Sequence, residues 1–552
     1  MQRRTALTLQ SPKSLTMKRT LSFLLLIAAF SINASAQEKE PTAPGTPPPT
    51  RKLLPNAPRT QLPMGALLPT QPPGAPRQPI INSHSLFKVN VTTQPYNLHL
   101  PWQKESSSDR RGLGVVLDGH RVLVTAQIVA DANYIELELP ESGQKMPAKV
   151  IAVDYEANVA LLAPDSKAKE EAFFKDRVAI GLDTSTRIGD SLYIWQTGRV
   201  GDLIVSPLRV SKVMTQGYVV DGAAFLVYEA NGILRSEANS FTLPVVKNGK
   251  LAGLVLRYDS KDQVVTILPA AIIEHFLKDT ADGKYDGFPS LGVEFQLTLD
   301  EQFREYLHMQ ADTPGMYVSG VTKGATADLM GVKKGDILLS MNGFRVDARG
   351  DYKDPQYGAL SISHIVRGRA FVGDTLKLKV LREGKEMDLE GKLLRKDPAD
   401  YLVTPYQFDR GPNYVVMGGL LFQELSRPYL DAFGDDQRGG AVLRLARIAE
   451  HPDDYEKAGR RRLVFLSLVL PTPSAQGYER MGGAVVDKIN GSAINDLKDL
   501  DAAFKTPKNG IHIIELKDYP HILHLDAAAA ERDNVRLLDG AYRIGSLKRL
   551  EY

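Results

Sequence analysis

Between residues 85 and 277 short apolar runs alternate with turn residues. The runs fall at 114–117, 121–125, 134–139, 150–153, 159–162, 191–195, 251–256 and 263–267. Many short strands at close spacing predict a sandwich or a barrel. The last run passes into helical spacing over 270–277, so a helix is expected to close this region.

Two later segments share a different order. In the first, 291–295 predicts a strand, 299–307 a helix, 316–321 a strand and 325–330 a short helix. The strand 337–341 then ends at Asn342-Gly343. In the second, 418–422 precedes a helical region, 463–470 and 485–489 read as strands, and the latter ends at Asn490-Gly491. A helix over 495–503 and a strand over 510–515 follow. Asn-Gly is a tight-turn dipeptide, and the shared order predicts two copies of one domain type. The polar stretches 435–440 and 452–462 are expected to be solvated loops.

Composition changes this picture at the N-terminus. Residues 41–80 hold 13 of the 34 prolines, which predicts an extended, solvated tether. Before it, Lys18 and Arg19 precede an apolar run from Leu21 to Phe30, and Ala34-Ser35-Ala36 supplies a small-residue cleavage pattern. This is the arrangement of a secretory signal over 1–36, its apolar run too short for a membrane span. Five of the 68 basic residues lie there, so its removal leaves 63 bases against 65 acids. The positive formal charge is thus a property of the leader, and nucleic acid is not an expected partner. With no cysteine, disulfides, thiolate metal sites and a cysteine nucleophile are excluded. At roughly 100–200 residues per domain, 552 residues allow three or four folded units.

Several motifs are more specific. VLVTAQIVADANYIEL (122–137), AKVIAVDYEANVALL (148–162), GKLAGLV (249–255), PAAIIEHFL (269–277) and Leu100-Pro101-Trp102-Gln103 resemble the HtrA/Deg serine proteases, most closely their plant-type branch. GMYVSGVTKGATADLMGVKKGDILLSMNG (315–343) is similar to the first PDZ domain of that family. GGLLFQELSRPYL (418–430), Gly477-Tyr478-Glu479 and LDAAAAERDNVRLLDGAYRI (525–544) are similar to its second. The resemblance implies a mainly β protein: a chymotrypsin-like double β-barrel followed by two PDZ-like α+β domains. The expected boundaries are signal 1–36, Pro-rich linker 37–82, barrel 83–280, first PDZ domain 285–396 and second PDZ-like domain 401–552. No cofactor is implied.

Matched position by position, the resemblance implies a degenerate triad. The general-base histidine falls on Gln127, its orienting aspartate on Asn158 and the nucleophile on Phe241; the two glycines after it become Thr242 and Leu243. An amide cannot take a serine proton near neutral pH, and Asn158 carries no charge to stabilise an imidazolium. Phe241, Thr242 and Leu243 are expected to clash with a Gly-rich oxyanion turn. The alternative is an active endopeptidase using Ser240 as a rearranged nucleophile, with Lys247, Lys250, His120 and His275 as candidate bases by type.

The first PDZ segment implies capture of a peptide or protein C-terminus by strand addition. The carboxylate would lie on the loop Ser290-Leu291-Gly292-Val293, and the insertion 349–358 is the segment able to cover that groove. In the second copy Gly418-Gly419-Leu420-Leu421 has the same glycine-plus-apolar character, with structural packing or oligomer contact the leading reading. The function implied is that of an exported, catalytically inactive peptide-binding protein, periplasmic or extracellular. It would act as scaffold, regulator or chaperone in protein quality control. A homo-oligomer and pairing with active HtrA homologues are implied partners.

Overall fold

A computed structural model describes residues 83–198, 202–220, 222–235, 242–310, 313–434, 439–540 and 542–552. The expected signal and linker, Ser240, Phe241 and residues 435–438 lie outside the described residues.

Alternation of apolar and polar positions drives the first half into closed sheets. β1 (Leu86–Thr93), β2 (Ser108–Leu117), β3 (Arg121–Val124), β4 (Ala132–Glu138), β5 (Lys145–Asp154) and β6 (Val159–Pro164) form a barrel. Its order is β1-β2-β3-β6-β5-β4, with every pair antiparallel. β1 shows the cause: Phe87, Val89 and Val91 point inward at every second position. Closing the sheet satisfies both edges of each strand. The short helix α1 (Ala126–Val129) follows β3. α2 (Lys167–Phe174) sets Phe173 and Phe174 on Phe87, with ring centroids 5.3 and 5.0 Å apart.

β7 (Ser191–Thr197), β8 (Leu203–Gly217), β9 (Ala224–Asn231), β10 (Pro244–Lys247), β11 (Lys250–Asp259) and β12 (Val264–Pro269) close a second antiparallel barrel in the order β10-β11-β12-β9-β8-β7. The expected closing helix is α3 (Ala270–Asp279).

The third sheet contains β13 (Val293–Gln296), β14 (Met316–Val321), β15 (Ile337–Met341), β16 (Phe344–Arg345), β19 (Thr375–Arg382) and β20 (Lys385–Lys392). β16 pairs with β15, and the main order is β13-β14-β15-β19-β20. Helices α4 (Glu301–Tyr306), α5 (Thr326–Leu329) and α6 (Ser363–Arg367) flank it. The insertion folds as a separate hairpin, β17 (Asp351–Asp354) with β18 (Gly358–Ser361). Its turn faces the second barrel: Gln356 Nε2 donates to the Thr184 carbonyl at 3.0 Å, and the Tyr357 and Tyr228 hydroxyls lie 3.2 Å apart. The insertion expected as a groove cover is therefore fastened to the barrel at its tip.

The last sheet has the order β27-β26-β24-β23-β22-β21-β28, with β25 paired to β24. Its strands are β21 (Tyr414–Met417), β22 (Leu420–Glu424), β23 (Val464–Val469), β24 (Ala484–Ile489), β25 (Ser492–Ala493), β26 (Ile511–Leu516), β27 (Ile522–Asp526) and β28 (Lys548–Arg549). The helices here are α7 (Arg427–Asp431), α8 (Gly440–Glu450), α9 (Asp453–Lys457), α10 (Leu497–Ala503) and α11 (Ala527–Asp539). The segment 452–462, expected as a solvated loop, instead carries α9 and buries Arg460. The Arg460 guanidinium donates to the Val486 carbonyl at 2.7 Å and pairs with Asp487 at 2.8 Å. A charge run read as exposed is thus partly an internal ion pair. The shared Asn-Gly steps are real turns: Asn342, Gly343, Asn490 and Gly491 all have positive φ, as a two-residue hairpin of this type demands.

The architecture is mainly β, two barrels followed by two α+β sheets. Among the described residues no helix is long and apolar enough to cross a membrane. All of them lie in one compact unit, Arg77–Tyr552. One cluster of buried side chains runs from Leu192, Phe225 and Leu254 of the second barrel to Met316, Ile365 and Leu378 of the third sheet.

Candidate functional site

Gln127 and Asn158, where the resemblance places the general base and its orienting acid, lie side by side in the first barrel. Gln127 lies in α1 and Asn158 at the end of the turn between β5 and β6. The Gln127 backbone N–H donates to Asn158 Oδ1 at 2.9 Å, and Asn158 Nδ2 donates to Gln127 Oε1 at 3.2 Å. Two amides therefore pair in the places where the resemblance puts an imidazole and a carboxylate. Neither accepts a proton near neutral pH. Arg110 of β2 fixes α1 from the other side by donating to the Gln127 and Ala130 carbonyls.

Asn158 has φ +53 and is buried. The turn is set by Asp154, whose carboxylate accepts from the Ala157 N–H at 2.6 Å and from the Tyr285 hydroxyl. Arg395 stands 3.8 Å away. Burial pushes the Asp154 carboxyl above the usual range, with Arg395 and these hydrogen bonds opposing it. Beside it, Glu156 pairs with Arg367 of α6 at 2.5 Å and accepts from the Tyr406 hydroxyl at 3.3 Å. None of Asp154, Glu156, Tyr285, Arg367 or Arg395 stood out in the sequence, because each finds its partner more than 100 positions away.

Past Phe241, which lies outside the described residues, the chain is described from Thr242 onward. Thr242 adopts φ +46 despite its branched side chain, and Leu243 is fully buried. Thr242 Oγ1 accepts from the Thr125 N–H at 3.0 Å and lies 2.5 Å from Thr125 Oγ1, while its carbonyl accepts from Leu113 N–H. Hydrogen bonds hold a β-branched residue at Thr242 in a conformation that costs roughly 1–2 kcal/mol.

Three of the four candidate bases are engaged elsewhere, and the fourth, Lys250, is exposed. Lys247 pairs with Asp190 at 2.7 Å, and Lys250 is exposed at the β10–β11 hairpin. His120 contacts Glu170 at 2.9 Å. His275 stacks between Phe288 and Phe371 and bonds the Ala370 carbonyl through Nε2 at 2.8 Å.

In the third sheet the proposed loop and strand are brought together at an edge. Ser290 O accepts from Thr326 Oγ1 at 2.7 Å, Leu291 O from Ala327 N–H at 3.0 Å and Gly292 O from Thr322 N–H at 2.9 Å. In a trans peptide the N–H points opposite to the C=O. The N–H groups of Leu291, Gly292 and Val293 are therefore directed away from the α5 side. Gly292 has φ +72, and a Cβ there would lie 2.2 Å from that of Ala325, so only glycine fits. β13 follows, and among the described residues it pairs only with β14.

The second copy differs in one decisive respect. Gly418 and Gly419, both with positive φ, form a two-residue turn between β21 and β22. The edge of β22 that corresponds to the free edge of β13 is already occupied by β21. Asn534 of α11 accepts from the Gly418 N–H at 2.8 Å, and Thr472 and Ser474 donate to its carbonyl. Leu420 and Leu421 are fully buried.

A family model described as PDZ domain matches residues 403–548. Protease Do-like 4, mitochondrial, from Arabidopsis thaliana is 26% identical over 428 residues, covering 77% of each chain. Putative protease Do-like 3, mitochondrial, from the same plant is 27% identical over 422 residues, covering 76% of this chain and 71% of its own. Among solved structures, the HtrA-type protease AlgW with decapeptide aligns at 18% identity and a TM-score of 0.42, over 57% of this chain and 97% of that one. With two closed barrels, a PDZ match over the last sheet and Do-like relatives spanning three quarters of its length, the chain is a homologue of the Deg/HtrA proteases that carries a PDZ domain.

Proposed function

We propose that this chain is an exported peptide-binding protein whose protease-type barrel does not cleave. The observation that carries this reading is the amide pair Gln127–Asn158. Nucleophilic catalysis by a serine needs a neighbouring base, and the inherited base position holds none. Binding is assigned to the β13 edge. Three N–H groups of Leu291, Gly292 and Val293 are available to a terminal carboxylate, and β13 has one unpaired side for an added strand. The second PDZ-type sheet fills the corresponding slot with its own β21 and serves packing or assembly. In this reading the protein acts as scaffold, regulator of active homologues or holdase in quality control.

The test is direct. The full chain is incubated with unfolded casein and with a fluorophosphonate probe. Intact casein and an unlabelled protein are expected. Casein loss together with stoichiometric labelling that Ser240→Ala removes would overturn the inactive barrel in favour of a rearranged endopeptidase.

A further inference from the structure

The β13 edge carries a charge that nothing in its own sheet answers. Val293 and Phe295 of β13 are half-buried and packed on the core, whereas Glu294 and Gln296 are exposed on the opposite face. Across the β13–β14 ladder Glu294 faces Gly320, which has no side chain. The Glu294 carboxylate lies over that glycine; a Cβ at Gly320 would meet its Oε2 at 2.8 Å. Among the described residues no ion pair or side-chain hydrogen bond involves Glu294. Its other flank is the unpaired side of β13.

Strand pairing fixes what would stand opposite it. A peptide whose last residue sits beside Val293, with its carboxylate on the Leu291–Val293 N–H groups, runs antiparallel to β13. Counting back along the ladder, the penultimate residue then opposes Glu294 and the third from last opposes Phe295. Directly opposed residues of an antiparallel pair share a face. The last and third-from-last side chains therefore turn toward the apolar side, and the penultimate one lies beside an unneutralised carboxylate.

We propose that Glu294 makes the β13 edge select C-terminal peptides with lysine or arginine at the penultimate position and disfavour those with aspartate or glutamate there. This rests on the reading of β13 as the peptide acceptor. Opposite charges directly across a strand pair attract and like charges repel, each by an amount equivalent to about two- to five-fold in affinity, so the two effects together give roughly ten-fold. Both charges are exposed, so the preference should shrink as salt rises.

Fluorescein-labelled ten-residue peptides ending in valine, with Lys, Gln or Glu as the only difference at the penultimate position, are titrated with the full chain by fluorescence polarisation at low salt. The expected order of affinity is Lys, Gln, Glu, with about ten-fold between the ends of the series. Glu294→Gln should compress the series to within about two-fold, and Glu294→Lys should invert it. Position 294 is exposed, and unchanged thermal melts of both variants will show that they fold. Equal affinities for the Lys and Glu peptides, or an order that Glu294→Lys leaves unchanged, would overturn this preference while leaving the acceptor reading intact. If no peptide shows saturable binding, the acceptor reading falls and the preference with it.

Discussion

Asp154 is the residue on which the turn carrying Asn158 depends. Its side chain is buried with the Ala157 N–H, the Tyr285 hydroxyl and Arg395 around it, and it places Asn158 against Gln127. Removing one member of a buried charged pair leaves the other uncompensated, which costs about 3–5 kcal/mol. Asp154→Ala is expected to lower the free energy of unfolding in urea by that amount. A loss below about 1 kcal/mol would mean that Arg395 finds water instead. Thr242 makes the complementary point. It occupies a backbone conformation that suits glycine, held by the Thr125 N–H, so a turn survives without the residues that favour it.

At the level of elements, two buried imidazoles lie on the helices flanking the third sheet and the second barrel, and His275 of α3 reaches across to the Ala370 carbonyl. His364 of α6 lies 4.0 Å from Asp354, beside Tyr357, with Arg369 on the same carboxylate. Burial, reinforced by Arg369 and opposed by Asp354, brings its pKa down from 6.5 to about 4. Burial also lowers His275, against the pull of Asp279, Asp154 and Asp374. An unfolded histidine protonates first on acidification, so this stability is complete above pH 6.5 and is lost progressively down to about pH 4. At pH 5 the loss from His364 is about 2 kcal/mol. Urea midpoints at pH 7.5 and pH 5 should differ accordingly, and His364→Phe should remove most of that difference. An unchanged difference would assign the acid sensitivity to other groups.

Across the whole molecule, contacts distant in sequence tie the first barrel to both following sheets. The β1–β2 connection around Trp102 crosses to the last sheet. Trp102 Nε1 and Gln103 Nε2 donate to the Tyr542 carbonyl, Gln423 Nε2 to the Leu98 carbonyl and Arg549 to the Pro101 carbonyl. Asp131 and Asp409 clasp reciprocally, each carboxylate accepting the other's backbone N–H at 2.8 Å. Trp102 is half-buried and its ring meets Tyr414 edge-on at 6.0 Å. Trp102→Ala should cost about 2 kcal/mol, less than a fully buried tryptophan. It should speed amide hydrogen exchange in β21 and β28, and Trp102→Phe should restore part of the protection. Unaltered exchange in both variants would show that the other bonds suffice to hold the β1–β2 connection.

Periodicity and motif made eight of the twelve barrel strands, the closing helix and the two Asn-Gly hairpins legible in the chain, since each depends on neighbours within a few residues; β1, β8, β9 and β10 were not among the runs read. The amides Gln127 and Asn158 were legible too, as a matter of residue identity. Folding alone decided that 452–462 buries Arg460, that the 349–358 insertion fastens to the barrel and that β21 fills the edge beside β22. It also joined Asp154 to Tyr285 and Arg395. Those outcomes depend on which surfaces meet after the chain has closed, and a run such as Tyr414–Met417 is equally suited to a core strand or an edge until its partners are in place.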